Sequence, residues 1–181
     1  MQPLVRTTAW VSGLTLLRRE GLWERVRERV PAATSGLFDV QAGDWMPLEP
    51  FDDVTEALSG LGGEELVRRL GRLGAHAAVV APVRLLLKGL GALAVAPHAL
   101  LSRVDAVTRR QSRGISATYR RIGSRSGEVR LAYAGDRDIP RSRLVGMAGR
   151  FEALLELTGA EGGVGEPVVE RRGASFRVDW R

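Results

Sequence analysis

The sequence predicts an α+β protein, an N-terminal helical part followed by a four-stranded antiparallel sheet with one long crossing helix. Three observations predict it. Up to residue 113 the apolar residues recur at helical spacing, after Gly114 the period falls to two, and one long apolar-striped segment separates two strand pairs. A single domain over residues 1–181 is expected, with a helical lobe at 1–113 and a sheet-plus-helix lobe at 114–181.

The first helix follows Thr7 and Thr8, either of which suits an N-cap, carries Trp10, Leu14 and Leu17 on one face, and stops at Gly21. A second, with Trp23, Val26 and Val30 inward, ends at Pro31. Residues 32–51 hold no sustained period and read as an ordered connection anchored by Phe38, Trp45 and Met46. Asp53 with Glu56 three residues on resembles a capping box for a short helix that the glycines from Gly60 to Gly63 terminate. Leu66, Leu70, Leu73 and Ala77 then stripe another helix, opened by Glu64 and Glu65. Pro82 and Pro97 each suit a first helical turn, predicting helices over 83–90 and 98–113, the latter with Leu100, Leu101, Val104 and Val107 inward.

Strands are predicted over 116–122 and 128–133, with Val129, Leu131 and Tyr133 on one face. The crossing helix opens near Ser142, with Leu144, Ala148, Phe151 and Leu155 inward. A glycine-rich loop from Gly159 to Gly165 leads to a hairpin of 168–171 and 175–180, in which Phe176, Val178 and Trp180 alternate.

Composition excludes several kinds of chemistry. With no cysteine there is no disulfide, thiolate metal site, thiolate haem ligation or cysteine nucleophile, and a cytoplasmic protein is expected. No signal peptide is recognisable, and the apolar stretch from Ala75 to Leu101 is broken by Arg84, Lys88, Pro82 and Pro97 too often to read as a membrane span. Two histidines, and no HExxH, GxSxG or Walker pattern, leave neither a triad nor a metal site to assemble, so the chain is not expected to be an enzyme.

The net charge is +6 and Lys88 is the only lysine. Between Arg103 and Arg130 the arginines 103, 109, 110, 113, 120, 121, 125 and 130 face only Asp105 and Glu128, an excess equal to that of the whole chain. Arg109, Arg110, Arg113, Arg120 and Arg121 are therefore candidates for partner binding, to an acidic protein or, as a less favoured reading, to nucleic acid with Tyr119 stacking on a base. The simpler account is a solvated helix face and a charged sheet edge.

The order of elements resembles the haem nitric oxide/oxygen binding domain, the H-NOX family. Three segments carry the resemblance: MPLEPFDD from Met46, LLSRVDAVT from Leu100, and Tyr133 to Arg137, similar to the family's Tyr-x-Ser-x-Arg clasp on the haem propionates. Tyr133 and Arg137 match and the serine is replaced by Gly135. Where the resemblance implies a haem-ligating histidine, this chain has Thr108, and threonine does not replace an axial imidazole. His98 lies ten residues upstream on the same predicted helix, about 15 Å of rise away. The chain is also similar to an uncharacterised family of myxobacterial proteins of similar length, which implies no activity.

Tyr133, Arg137 and Thr108 are accordingly expected to be positions of a degenerate pocket. The resemblance implies a sensory or protein-interaction module with a protein partner, and a small apolar or anionic ligand between its lobes. No cofactor is expected and haem is not anticipated. The alternative keeps a tetrapyrrole, with His76 or no protein ligand at the iron.

Overall fold

The computed structural model describes residues 2–41, 43–78, 96–135 and 138–181. The helix expected over 83–90 lies outside them, as do Asp136 and Arg137.

Helix α1 (Thr8–Arg19) and helix α2 (Trp23–Arg27) turn their apolar stripes onto one core cluster, where Leu14, Leu17 and Val26 are buried. Gly21, at φ +68, makes the turn between them in the left-handed region that favours glycine. The connection at 32–51 is more ordered than its sequence suggests. It holds a 3₁₀ helix (Ala32–Asp39), with Leu37 and Phe38 buried, and strand β2 (Trp45–Pro47). That strand pairs with β1 (Leu4–Arg6), which pairs in turn with β3 (Ser112–Arg113), giving a small three-stranded sheet not anticipated from the sequence. Strands of two or three residues are too short to show a period of two.

Helix α3 (Glu49–Ala78) begins four residues before Asp53, so Asp53 is no N-cap; its carboxylate instead accepts a hydrogen bond from the Thr34 hydroxyl. The run is two helices joined across a kink: Gly62 and Gly63 have non-helical backbone, the latter at φ +69, so the glycines end the first helix as expected and the second follows from Glu64. The helix expected over 98–113 is two, α4 (Ala96–Leu101) and α5 (Val104–Gln111). The break rotates the second face, so Leu101 is fully buried while Val107, expected inward, is 57% exposed.

Among the described residues the main sheet has five strands rather than four, all antiparallel: β4 (Ile115–Gly123), β5 (Ser126–Tyr133), β6 (Gly162–Val164), β7 (Val168–Glu170) and β8 (Gly173–Trp180). Their order is β4-β5-β8-β6, with β7 also paired to β8. Val129 lies opposite Tyr119 on one side and Phe176 on the other, so the alternating apolar residues of three strands meet on one face.

Helix α6 (Arg141–Leu157) covers that face. Leu144, Ala148, Phe151 and Leu155 join the sheet core, where the Phe151 and Phe176 rings meet edge to face at 5.2 Å. Val145, about a third of a turn round, belongs to the other cluster with α1, α2 and α3. Where α6 crosses α3 there is no room for side chains: a Cβ on Gly149 would stand 2.0 Å from the Arg68 carbonyl oxygen, and one on Gly71 would stand 2.2 Å from that of Gly146. Ion pairs flank the crossing. Arg68 donates from Nη2 to Glu152 (2.6 Å) and to the Val164 carbonyl (2.5 Å), and Arg141 pairs with Glu64 and Glu166.

Candidate functional site

The site begins at the C-terminal end of β5. Alternation along the strand turns Tyr133 inward, leaving it 5% exposed, and its amide donates to the Arg172 carbonyl at 2.8 Å. Two residues on, Gly135 has φ +88. A serine there would be strained, so the missing hydroxyl of the expected clasp goes with a turn conformation that favours glycine. Arg137 lies outside the described residues, and only the tyrosine of the clasp is therefore placed.

Around Tyr133 the structure brings two arginines that sequence reasoning did not single out. Arg143, in the first turn of α6, donates from Nη1 to Asp52 Oδ1 of α3 at 2.8 Å, with both side chains largely buried. Burial works against its charge, but the neighbouring Tyr133 oxygen and Asp52 carboxylate outweigh that and hold its pKa above the ordinary arginine value. Its Nε is buried without a hydrogen-bond partner. Arg150 stands seven residues on, on the same side of the helix, with Nη1 3.9 Å from Met147 Sδ. Surrounding protein and the Arg143 cation push the Arg150 pKa down to about 10, against a smaller opposing effect of Tyr133, with part of the side chain open to solvent. At neutral pH the Arg150 guanidinium is still charged.

The sequence expectation for α6 covers its sheet-facing stripe alone. Arg143, Met147, Arg150 and Leu154 share a separate narrow stripe, with Met147 and Leu154 half-buried against the sheet core. Their i, i+4, i+7, i+11 spacing was the available signal.

Neither histidine is open to a metal. His98 is 8% exposed, with Nε2 3.0 Å from the Ser124 carbonyl oxygen and Nδ1 on the Tyr119 hydroxyl. Burial holds the Tyr119 hydroxyl above its ordinary pKa, so it keeps its proton and can donate to Nδ1, while Nε2–H donates to the carbonyl. His76 Nε2 is 2.5 Å from Glu156 Oε2 in the α3–α6 contact. Thr108 is half-buried in α5, and its carbonyl accepts from Ser112 Oγ at 2.8 Å. Among the described residues no group of three or more His, Asp or Glu side chains could hold a metal ion, and no helix is long and apolar enough to cross a membrane.

The candidate partner-binding arginines lie on α5, β3 and β4, all exposed. Several are engaged within the chain: Arg109 with Asp105 at 2.6 Å, Arg120 with Glu128 at 3.0 Å, Arg121 Nε with the Gly123 carbonyl at 3.0 Å, and Arg113 over the Trp45 ring at 4.3 Å. These contacts restrain the side chains while leaving the net positive charge of the surface as the sequence counts it, and Arg110 is a further exposed cation.

No protein-family model and no curated protein matches the chain. Solved structures do, over nearly its whole length. An H-NOX protein from K. algicida, an Ala71Gly mutant in the unliganded Fe(II) state, aligns with TM-score 0.67 at 12% identity, covering 97% of this chain and 96% of that one. An oxygen-binding H-NOX domain related to soluble guanylate cyclases, in its oxygen complex, aligns at 0.63 and 12%, covering 97% and 95%. A third, from work on haem distortion in the H-NOX family, aligns at 0.62 and 13%, again covering 97% and 95%. The fold is H-NOX-like, and at these identities it is the fold that the likeness establishes.

The expectation that no cofactor is involved and haem is not anticipated is corrected here. The structures this chain resembles are haem-binding H-NOX domains, and they point to haem as a cofactor. Neither imidazole is presented to an iron, since His76 and His98 are hydrogen-bonded within the chain, and Thr108 offers only a hydroxyl.

Proposed function

We propose that this chain is a sensory module, binding a ligand rather than turning it over, and reporting its occupancy to a protein partner. The observation that carries the reading is the H-NOX-like fold itself, matched over 97% of the chain. Haem is the ligand the fold indicates, and the Tyr133 end of the sheet beside α6 is where we place it, with Tyr133, Arg137 and Thr108 as pocket positions. No described histidine serves the iron, and no ligation is assigned. Helix α6 supports a signalling role because it belongs to both core clusters, so a shift at its sheet face is felt at α3. We take residues 1–181 as one domain, of a helical and a sheet lobe, and the cysteine-free composition as that of a cytoplasmic protein.

For the partner surface we favour Arg109, Arg110, Arg113, Arg120 and Arg121. Val107, 57% exposed on the same helix as Arg109 and Arg110, adds an apolar anchor amid the cations, which suits an acidic protein better than nucleic acid.

The test is an absorption spectrum of the purified protein before and after haemin addition, with native mass spectrometry and hydrogen exchange on the same sample. A Soret band, a haemin-sized mass increment and altered exchange in α6 are expected. A protein that takes up no haemin, carries no other ligand and exchanges identically throughout is not a sensor of this kind.

A further inference from the structure

We infer that the outward face of the β1–β2–β3 sheet is the centre of the partner surface, where Arg6, Trp45 and Arg113 form a platform for the carboxylates of an acidic protein segment. The inference rests on the partner reading above and adds to it Arg6 and Trp45, which lie far outside the arginine-rich segment in sequence.

Strand register gathers the three side chains. Arg6 stands directly opposite Trp45, and Leu4, two residues from Arg6, stands opposite Arg113. Residues opposite one another and residues two apart share a face, so all three project to the same side. The intervening positions, Val5, Met46 and Ser112, point the other way, where Val5 and Met46 pack against the two core clusters and Ser112 is buried. The side carrying Arg6, Trp45 and Arg113 is thus the outer one. Both guanidiniums lie over the indole ring, with Cζ 5.1 Å (Arg6) and 4.3 Å (Arg113) from its centroid.

This arrangement leaves charge and donors unanswered. Arg6 and Arg113 are exposed, and among the described residues neither guanidinium meets a carboxylate or donates a hydrogen bond, whereas Arg109 and Arg120 are ion-paired. Two cations held over one ring repel each other, and an anion beside them gains from both. The ring also restrains the two long side chains before anything binds, so less side-chain freedom is lost on binding. Each guanidinium keeps its planar fork of N–H donors, the geometry that suits a carboxylate. Trp45 is half-buried, and Leu4 and Pro47, also half-buried, lie on the same face. The cations therefore border an apolar patch of the kind that anchors a protein segment.

Two features favour an acidic protein over a nucleic acid. Trp45 is the sole aromatic residue of the three strands, and single-stranded nucleic acid is held by a series of stacking rings. Asp44, exposed and next in sequence to Trp45, opposes a continuous line of phosphates, which a segment with spaced carboxylates avoids.

The test is a nuclear magnetic resonance titration of the isotope-labelled protein, following its four indole N–H signals, with Trp45→Phe assigning that of Trp45. The probes are a short peptide of alternating glutamate and alanine, its glutamine counterpart, and an oligothymidylate of equal charge; fluorescence anisotropy gives their affinities. The glutamate peptide should shift the Trp45 signal more than those of Trp10, Trp23 and Trp180, and the glutamine counterpart should leave it in place. R6Q and R113Q should each weaken the glutamate peptide about tenfold, the ratio that a lost charge-assisted hydrogen bond supplies. R177Q removes the same charge from β8 and should weaken it about twofold or less, as screened surface attraction does. Circular dichroism checks that each variant is folded, and the Trp45 signal of the wild type tests the platform without any variant. If the glutamate peptide binds with the Trp45 signal unmoved, or R6Q and R113Q weaken it no more than R177Q does, the platform is wrong; weakening by R120Q and R121Q then keeps the wider basic surface as the partner site. If the oligothymidylate binds more tightly than the peptide, the assignment to an acidic protein is overturned in favour of nucleic acid. If no probe binds, the platform and the partner surface both fall, while ligand sensing stands or falls on its own haemin and exchange test.

Discussion

Gly149 of α6 lies so close to Arg68 of α3 that a Cβ on the glycine would come within 2.0 Å of the arginine carbonyl oxygen. The contact is backbone to backbone, and neither helix can yield without moving: α6 is held on its other side by the sheet, through Phe151 and Phe176. A missing side chain thus sets the distance between the helix carrying Arg143 and the helix carrying Asp52.

Gly149→Ala should therefore destabilise the protein although alanine is the better helix former. The favourable propensity, about 1 kcal/mol, is opposed by overpacking of about 1–3 kcal/mol, and a contact with carbonyl oxygen rather than a flexible side chain puts the cost at the upper end. A lowered midpoint in urea is the expected result, with Gly71→Ala behaving alike because its Cβ meets the Gly146 carbonyl.

Glu152→Ala removes the carboxylate that Arg68 reaches through Nε at 2.9 Å and Nη2 at 2.6 Å. These side chains are 23% and 14% exposed, so the arginine left behind is only partly rehydrated. A loss of about 2 kcal/mol is expected, the cost of a half-buried charge without its partner. Glu152→Gln, which keeps one acceptor, should recover part of that in the same denaturation experiment.

Tyr119→Phe deletes the donor to His98 Nδ1 and should cost about 1 kcal/mol. Its more telling effect is local. His98 joins α4 to the turn between β4 and β5, through the Ser124 carbonyl and an edge-on contact with Trp180 at 4.6 Å. Amide exchange in Ala96–Leu101 should accelerate relative to that in Arg141–Leu157.

The Arg141–Glu64 pair yields a pH dependence of known sign. Hydrogen bonding from Arg141, opposed by a smaller effect of burial, holds the Glu64 carboxyl below its ordinary pKa. A carboxylate depressed in the folded state stabilises it above the unfolded value, about 4.3, and that contribution fades as pH falls through the lower folded value. Both side chains are substantially exposed, so the effect is small, about 0.5 kcal/mol at most. Thermal unfolding of wild type and Glu64→Gln should differ slightly at pH 7 and converge toward pH 3.

Much of the architecture was legible in the chain. The 3.6 and 2.0 periods marked α1, α2, the two halves of α3, β4, β5, β8 and α6, because each of these elements buries one face and so writes its period into the order of residues, whereas β6 lies in the segment read as a glycine-rich loop. The short strands β1 to β3 were not legible, since their pairing partners lie tens of residues away and they contain too few positions to show a pattern. Asp53 illustrates the same limit: its spacing to Glu56 resembled a cap, and the fold uses it to hold Thr34 instead.

For the site, the sequence alone determined which residue types were to hand: no cysteine, two histidines, threonine at 108, glycine at 135 and an excess of arginine. Only the tertiary structure decided what those residues meet. It committed His98 to Tyr119 and His76 to Glu156, and it brought Arg143 and Arg150 of α6 to the end of β5 beside Tyr133. Helical spacing shows that two arginines share a stripe, but where that stripe faces depends on the close approach of α6 to α3 at Gly149. That approach is a long-range packing relationship with no local trace in the chain.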